Sequence, residues 1–267
     1  MNAGMPQLPD RLVTSYHDGP FGRMRSRSVG QARGNTPEVV VVQGMAVADY
    51  LLPGISALGE WTRAHLLELP GLAGSGEPPH ELSMAEYGQA VADWLTATRT
   101  RPVLLAGHSS GTQVAAEAAP AHPLVAGLML ASPTMDPAMR PFPRLALRFV
   151  QNARIEPPGL AKLHVPEWRR AGPRRLVHLV RASLRHHIER PLRRLTVPLL
   201  VLRGADDILS TPGWARHLVD AATQHEQRDG RYAELAGAHG FPWLDPGAWS
   251  APTEQFARTL WASAPDQ

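Results

Sequence analysis

The chain has 267 residues, of which 43% are hydrophobic and 19% are charged, a composition typical of a globular protein with a sizeable core. It contains no cysteine, which excludes disulfides, a thiolate nucleophile and cysteine-ligated zinc, and its formal net charge is only +3. No apolar run approaches the ~18 residues that span a bilayer, and residues 1–10 show no basic and apolar secretion signal. We therefore expect a cytoplasmic protein with no membrane partner.

Strand and helix patterns alternate along most of the chain. Strands are predicted, in chain order, at residues 12–16, 23–29, 39–42, 64–69, 103–106, 125–131, 197–202 and 231–235, with a turn at residues 18–20 between the first two. Helices are predicted at residues 46–58, 83–98, 112–119, 213–222 and 253–261. Pro53 and Gly54 make the first helix irregular, and Ser83 begins the second with a capping box. The alternation predicts an α/β fold with a mostly parallel, eight-stranded, doubly wound sheet.

Residues 136–194 differ from the rest of the chain in pattern and in charge. The segment has no strand pattern, several helical patterns and scattered prolines. Residues 140–194 contain 14 Arg and Lys but only 3 Asp and Glu, a net charge of +11, whereas the rest of the chain has a net charge of −8. We therefore predict a core built from residues 1–135 and 195–267, with residues 136–194 inserted as a helical cap.

A Gly-x-Ser-x-Gly turn, residues 107–111, lies between the predicted strand at 103–106 and a predicted helix. A serine on such a sharp turn exposes its Oγ at the carboxyl edge of the sheet, and the flanking glycines remove Cβ atoms that would clash. The bare pattern arises by chance in about one such chain in ten, so its strand–turn–helix setting is what makes it informative. Ser109 is therefore the candidate nucleophile.

A serine nucleophile needs a general base within hydrogen-bond reach and a carboxylate that orients this base. Proteins with this turn carry the carboxylate, and after it the histidine, later in the chain. Three histidines follow the seventh predicted strand. His217 lies in a helix pattern and His225 in a polar stretch, whereas His239 lies in a loop directly after a strand, between Gly237 and Gly240. His239 is therefore the candidate general base.

Asp206 and Asp207 are the candidate orienting carboxylates. Both follow the strand at 197–202 at its carboxyl end, where sheets of this kind place functional groups. Two adjacent side chains cannot both point at one imidazole, so the other aspartate is expected to cap the turn or to pair with Arg203.

The chain resembles the α/β-hydrolase superfamily from about Leu12 to Trp261. Four landmarks carry the resemblance: Val42-Gln43-Gly44, Leu69-Pro70-Gly71 with Gly74-Ser75-Gly76, the Gly-x-Ser-x-Gly turn, and Gly204-x-x-Asp207 followed by Gly237-x-His239. In similar proteins the acid is the fourth residue of Gly-x-x-Asp, which selects Asp207 over Asp206. A minority of relatives carry the acid after the sixth strand, where Asp136 is the candidate.

The resemblance also implies an oxyanion hole made of two backbone N–H groups. One belongs to Ser110, the residue after the nucleophile, and the other to Met45, in the loop after the third strand. Most relatives have His-Gly where this chain has Gln43-Gly44. Because the donor is a backbone group, this change of side chain need not abolish catalysis.

These features predict a serine hydrolase that acts on a carboxylic ester, lactone or thioester of a small molecule through an acyl-enzyme on Ser109. A serine at this position, where related epoxide-opening and halide-displacing enzymes have aspartate, argues against those two reactions. The alternative is a non-hydrolytic protein of the same fold, either an acyltransferase or cyclase of a biosynthetic pathway or a ligand receptor.

Other ligands find little support in the sequence. We expect no cofactor, no metal and no nucleic acid, because the chain has no His-Glu-x-x-His pattern, no phosphate-binding loop and no nucleic-acid motif. The one macromolecular partner that the charge pattern suggests is an acidic carrier protein that docks on the basic cap.

Overall fold

The computed structural model describes residues 12–224 and 229–262. The prediction that concerns residues 1–10, and the polar stretch that contains His225, lie outside the described residues. Within the described ranges, no helix combines the length and the apolar character that are needed to cross a bilayer.

Eight strands form one sheet in the order β1-β2-β4-β3-β5-β6-β7-β8. They are β1 (Val13–Gly19), β2 (Gly22–Val29), β3 (Glu38–Val42), β4 (Ala64–Glu68), β5 (Val103–His108), β6 (Val125–Ala131), β7 (Leu199–Gly204) and β8 (Gly230–Leu235). β2 runs antiparallel to both β1 and β4, and the strands from β4 to β8 are parallel to their neighbours. The predicted mostly parallel, eight-stranded sheet is therefore confirmed.

The first hairpin turns later than the sequence pattern predicted. Strand pairing continues to Gly19 and Gly22, so the turn consists of Pro20 and Phe21 rather than residues 18–20. A two-residue connection is the commonest link between antiparallel strands, and Asp18 belongs to β1.

Helices cover both faces of the sheet. They are α1 (Leu52–Gly59), α2 (Met84–Thr98), α3 (Gly111–Ala118), α4 (Phe142–Ile155), α5 (Pro158–Arg185), α6 (Glu189–Leu192), α7 (Pro212–Thr223), α8 (Phe241–Leu244) and α9 (Pro246–Ala262). α2 begins at the predicted capping box, in which the Ser83 side chain accepts the Glu86 N–H and Glu86 accepts the Ser83 N–H. The predicted helix at 46–58 is shorter than expected, because the loop that leaves β3 continues to a single 3₁₀ turn at Asp49–Leu51.

Strand β3 explains how the sheet is covered on both sides. All five of its residues are buried. Val40 and Val42 pack in the cluster that contains residues of α2, α3 and α7, whereas Val39 and Val41 pack in the cluster that contains residues of α1 and α9. Alternating side chains thus enter two separate apolar layers, as expected for a doubly wound fold.

Three helices, α4, α5 and α6, lie between β6 and β7, and we call residues 136–194 the helical insert. α5 is broken at Gly172, whose φ of 76° lies in the left-handed region. Pro173 follows, and a proline disfavours the helical conformation of the residue before it, so the break is encoded locally.

Candidate active site

Ser109 lies on the sharp turn between β5 and α3. Its φ is 56°, in the left-handed region, and its N–H donates to the carbonyl of Ala131 at 3.0 Å. A Cβ at Gly107 would lie 2.3 Å from the Gly111 carbonyl oxygen, and a Cβ at Gly111 would lie 2.4 Å from that of Gln43. The two glycines are thus required by close backbone contacts, and the turn is as tight as the sequence predicted.

Three of the predicted residues form one hydrogen-bonded series. His239 follows β8, and its Nε2 lies 2.8 Å from Ser109 Oγ. Asp207 follows β7, and its Oδ2 lies 2.9 Å from His239 Nδ1. The other oxygen of Asp207 accepts the N–H groups of Leu209 and Ser210 at 2.8 and 3.0 Å, so one carboxylate both orients the ring and caps its own turn.

The electrostatics of the pair fix which nitrogen carries the proton. Burial opposes ionisation of Asp207, but the charge and hydrogen bond of His239, with a further bond from the Ser210 N–H, lower its pKa to about 2. A carboxylate only accepts, so His239 Nδ1–H donates to it. The neutral ring therefore presents Nε2 as the acceptor of the Ser109 hydroxyl proton.

The basicity of His239 is set by the same contact. Burial lowers the pKa of His239, but the charge and hydrogen bond of Asp207, together with the charge of Glu156, raise it above 6.5. A base with a raised pKa is better able to take a proton from an alcohol in the transition state.

The two alternative carboxylates lie elsewhere. Asp206 is exposed, and its predicted partner Arg203 pairs with Glu234 instead, at 3.0 Å. Asp136 accepts the N–H of Ala138 at 2.8 Å and the hydroxyl of Thr211 at 2.9 Å. Neither reaches the imidazole, so Asp207 is the carboxylate that the fold brings to His239.

His108 and Tyr50 support the loop of His239, a role that the sequence did not reveal. His108 Nε2 lies 2.8 Å from the carbonyl oxygen of His239, and Tyr50 Oη lies 2.5 Å from His108 Nδ1. Burial and the neighbouring His239 lower the pKa of His108 to about 3, so its ring is neutral. A carbonyl only accepts, so Nε2 carries the hydrogen and Nδ1 accepts from Tyr50. His108 stands next to the nucleophile in the turn motif, which is the one signal that marks it.

The two predicted oxyanion donors also lie together, with a contact that the sequence did not predict. Met45 has a φ of 27°, and its N–H donates to the side-chain Oγ of Ser110 at 2.7 Å. Among the described residues, the Ser110 N–H has no protein acceptor. One predicted donor is thus free, and the other is bound to the side chain of its neighbour.

A cavity of about 160 Å³ opens beside Ser109 and His239. Most of its wall is apolar. α4 and α5 supply Phe149, Ala153, Leu160, Ala161 and Trp168, and other parts of the chain supply Met45, Val47 and Leu209. The helical insert has a net charge of +11 between residues 140 and 194, yet no Arg or Lys from the described residues lines this cavity. The site therefore fits a small, mainly apolar group better than an anionic one.

No metal-binding cluster is found in the described part of the chain, where no three His, Asp or Glu side chains lie together in a suitable arrangement.

Comparison with known proteins places the fold in context. The enol-lactonase from Burkholderia xenovorans LB400 is similar, with a TM-score of 0.72 at 16% identity over 91% of this chain and 99% of that one. A bromoperoxidase from Bacillus anthracis gives 0.72 at 13% identity over 92% and 99% of the two chains. The thioesterase domain from the curacin biosynthetic pathway gives 0.65 at 14% identity over 91% and 99%. At these identities the likeness shows a shared fold.

The family of the chain is shown by its sequence rather than by the structural likeness. No curated protein matches the chain. The sequence model of the alpha/beta hydrolase family, however, matches residues 39–258, from β3 to the last turns of α9. The matched range includes Ser109, Asp207 and His239. The strand order, the tight serine turn and this match agree, and the chain belongs to the alpha/beta hydrolase family.

Proposed function

We propose that the protein is a serine hydrolase that cleaves a carboxylic ester, lactone or thioester of a small molecule through an acyl-enzyme on Ser109. The observation that carries the proposal is the continuous series from Ser109 Oγ to His239 to Asp207, with distances of 2.8 and 2.9 Å, at the edge of an apolar cavity. A hydroxyl bound in this way to a base with a raised pKa is an activated nucleophile.

In the first half of the reaction, Ser109 Oγ attacks the acyl carbon and its proton passes to His239 Nε2. The carbonyl π electrons move to oxygen, and that negative charge is stabilised at the oxyanion site beside Ser110. Asp207 stabilises the imidazolium that forms. His239 then gives its proton to the leaving oxygen or sulfur, the bond from the acyl carbon to the leaving group breaks, and an ester on Ser109 remains.

In the second half, water replaces the leaving group. His239 takes a proton from the water, the hydroxide oxygen adds to the acyl carbon, and collapse of the tetrahedral species returns the proton to Ser109 Oγ. The products are a free acid and the regenerated enzyme. In a lactone the acid and the alcohol remain in one molecule.

The names of structural relatives are compatible with this range of substrates. One is an enol-lactonase and another a thioesterase domain, so the same fold serves both ring-opening and thioester cleavage in other proteins. The bromoperoxidase shows that the fold alone does not fix the reaction, and the proposal therefore rests on the site.

We also propose that residues 136–194 act as a cap over this site, because α4 and α5 supply much of the cavity wall. Many arginines of the helical insert are exposed, among them Arg169, Arg170, Arg185 and Arg193. Docking of an acidic carrier on that surface stays a prediction, and it requires binding that weakens as salt is added. The cytoplasmic location stays a prediction as well.

The test is the mass of the intact protein after incubation with a fluorophosphonate, followed by assays on p-nitrophenyl butanoate, γ-butyrolactone and a butanoyl thioester. We expect one adduct on the wild type and none on Ser109→Ala, with turnover reduced by about 10⁵- to 10⁶-fold in the variant. Ser56→Ala is the matched control, because Ser56 donates to the Leu52 carbonyl inside α1, away from the cavity.

Turnover that survives in Ser109→Ala would exclude the acyl-enzyme. A labelled wild type that hydrolyses none of the three substrates, but transfers a butanoyl group to an added alcohol or thiol, would identify the acyltransferase alternative instead.

A further inference from the structure

The Ser110 side chain does not make the hydrogen bond that a serine usually makes at the start of a helix. Ser110 is the N-cap of α3, and an N-cap serine normally accepts an N–H from the first turn. Here it makes no such bond, and its φ of −64° and ψ of −21° are helical rather than extended. Its Oγ accepts the N–H of Met45 instead, at 2.7 Å.

This contact leaves the hydroxyl proton of Ser110 available. A hydroxyl has one donor and two acceptor sites, and the Met45 N–H occupies only an acceptor site. No acceptor for the proton is found among the described residues, although Ser110 is only 7% exposed. The side chain thus carries an unused donor next to the nucleophile, on the same residue as an unused backbone N–H.

We propose that Ser110 contributes its side-chain hydroxyl as well as its backbone N–H to the oxyanion site, and that the Met45 N–H acts through that hydroxyl. The inference rests on the proposed function. The two donors belong to the residue that follows the nucleophile, and neither has an acceptor among the described residues. The sequence resemblance implied only the two backbone donors.

The series from Met45 N–H through Ser110 O–H to the oxyanion is cooperative. A hydroxyl that accepts one hydrogen bond becomes a better donor in the next, and the effect is larger away from bulk water. No proton leaves Ser110 during the reaction: the Ser109 proton passes to His239, while the Ser110 hydroxyl only donates a hydrogen bond to the developing O⁻.

The direction of the Met45 N–H is held by the helical insert. Met45 and Ala46 have φ values of 27° and 61°, which non-glycine residues adopt only when their surroundings enforce them. The Trp168 indole N–H donates to the Met45 carbonyl at 2.9 Å. Both polar groups of Met45 are therefore bound, one by Ser110 and the other by α5.

Glu167, the residue before Trp168, binds the same loop after β3 a few residues beyond Met45. Its Oε2 accepts the N–H of Ala48 at 2.8 Å and that of Asp49 at 3.2 Å, and the side chain is buried, with 2% exposure. Trp168 and Glu167 are therefore positioning residues of the loop that carries Met45: Trp168, which also lines the cavity, binds the Met45 carbonyl, and Glu167 binds the N–H groups of Ala48 and Asp49.

The test compares Ser110→Ala, Ser110→Thr and Ser110→Val on p-nitrophenyl butanoate. Thr and Val have nearly the same shape, so this pair separates the hydroxyl from any effect of packing beside α3. We expect kcat to fall about 10- to 100-fold in the Ala and Val variants, the range for loss of one oxyanion donor or somewhat less, with KM changed by less than about threefold. The Thr variant is expected to stay within about threefold of wild type.

A second measurement reports the tetrahedral state directly. Butaneboronic acid forms a tetrahedral adduct with an activated serine, and its Ki should rise in the Ala and Val variants by about the factor by which kcat/KM falls. Thermal unfolding of all three variants shows whether folding is affected, and a purely structural role would not separate Thr from Val in Ki.

Two results would overturn the inference while leaving the proposed function intact. In the first, the wild type is labelled at Ser109, but the kcat of Ser110→Ala equals or exceeds the kcat of the wild type. The Ser110 hydroxyl would then only compete with the oxyanion for the Met45 N–H. The other is equal kcat and Ki in the Thr and Val variants. A wild type with neither labelling nor turnover would overturn both proposals together.

Discussion

The sheet and the helical insert are held in the molecule by different forces. Every residue of β3, β4 and β5 is buried, and most of them are apolar. In α4 and α5, which are twice as long or more, the buried residues are only Leu145, Asn152, Leu160, Glu167, Leu179 and Ser183. Half of these six are polar, whereas the sheet is stabilised mainly by continuous apolar burial.

The buried polar residues of the helical insert lie in its contacts with the core. Ser183 donates to Gln113 of α3 at 2.5 Å, and Glu167 accepts the N–H of Ala48 at 2.8 Å. Asn152 donates to Glu156 at 3.1 Å, and Glu156 in turn accepts the N–H of Gly240 beside His239. Directional bonds thus join α4 and α5 to the core, so single substitutions of these polar residues should change activity more than they change stability.

After Ser109→Ala, the largest effect should come from another residue of the core. Asp207→Asn removes the carboxylate that selects the His239 tautomer, and kcat should fall about 10³- to 10⁴-fold. Asp207 also raises the pKa of His239, so the acid limb of the kcat/KM profile should move to lower pH in the variant. An unchanged acid limb would show that another group sets the basicity of His239.

The next effect concerns stability and compares the two regions directly. Leu105 is fully buried in β5, and Leu105→Ala should lower the free energy of unfolding by about 3–4 kcal/mol. Leu147 is 57% exposed on α4, and Leu147→Ala should change it by less than about 0.5 kcal/mol. Urea unfolding measures both. Equal losses would contradict the view that apolar burial stabilises the sheet far more than the insert.

The smallest effect tests whether the helical insert acts on the loop after β3 by hydrogen bonding. Glu167→Leu leaves the N–H groups of Ala48 and Asp49 without their acceptor, and kcat should fall about tenfold, equivalent to ~1.4 kcal/mol in the barrier. The side-chain oxygen of a glutamine can accept the same two N–H groups, so Glu167→Gln should retain activity within about threefold. If Gln and Leu reduce kcat equally, the carboxyl does not position the loop through these bonds.

Features that depend on local pattern were predicted well. The β-branched run of β3, the capping box at Ser83 and the glycines around Ser109 each follow from neighbouring residues. Chain order then left three histidines, and a loop position directly after a strand selected His239 among them. Asp207 required the resemblance, because Asp206 has the same local surroundings. The turn between β1 and β2 was misplaced because strand pairing, rather than turn composition, decides where a hairpin ends.

Features that depend on distant contacts could not be predicted. Glu167 and Ala48 are 119 residues apart, and Met45 and Ser110 are 65 apart. No periodicity or spacing links such pairs, and a serine at a helix start is expected to cap it. The roles of His108 and Tyr50 depend likewise on a contact across 58 residues.

The break at Gly172 divides α5 into two parts with different contacts. The first part carries Leu160, which lines the cavity, and Trp168, which binds the loop after β3. The second part carries Ser183, which is bound to α3. A Cβ at Gly172 would meet nothing within 4 Å, so only the left-handed conformation favours glycine there. The break therefore separates the half of α5 that lines the cavity and holds the loop after β3 from the half that is bound to α3, so a substitution in one half can leave the contacts of the other unchanged.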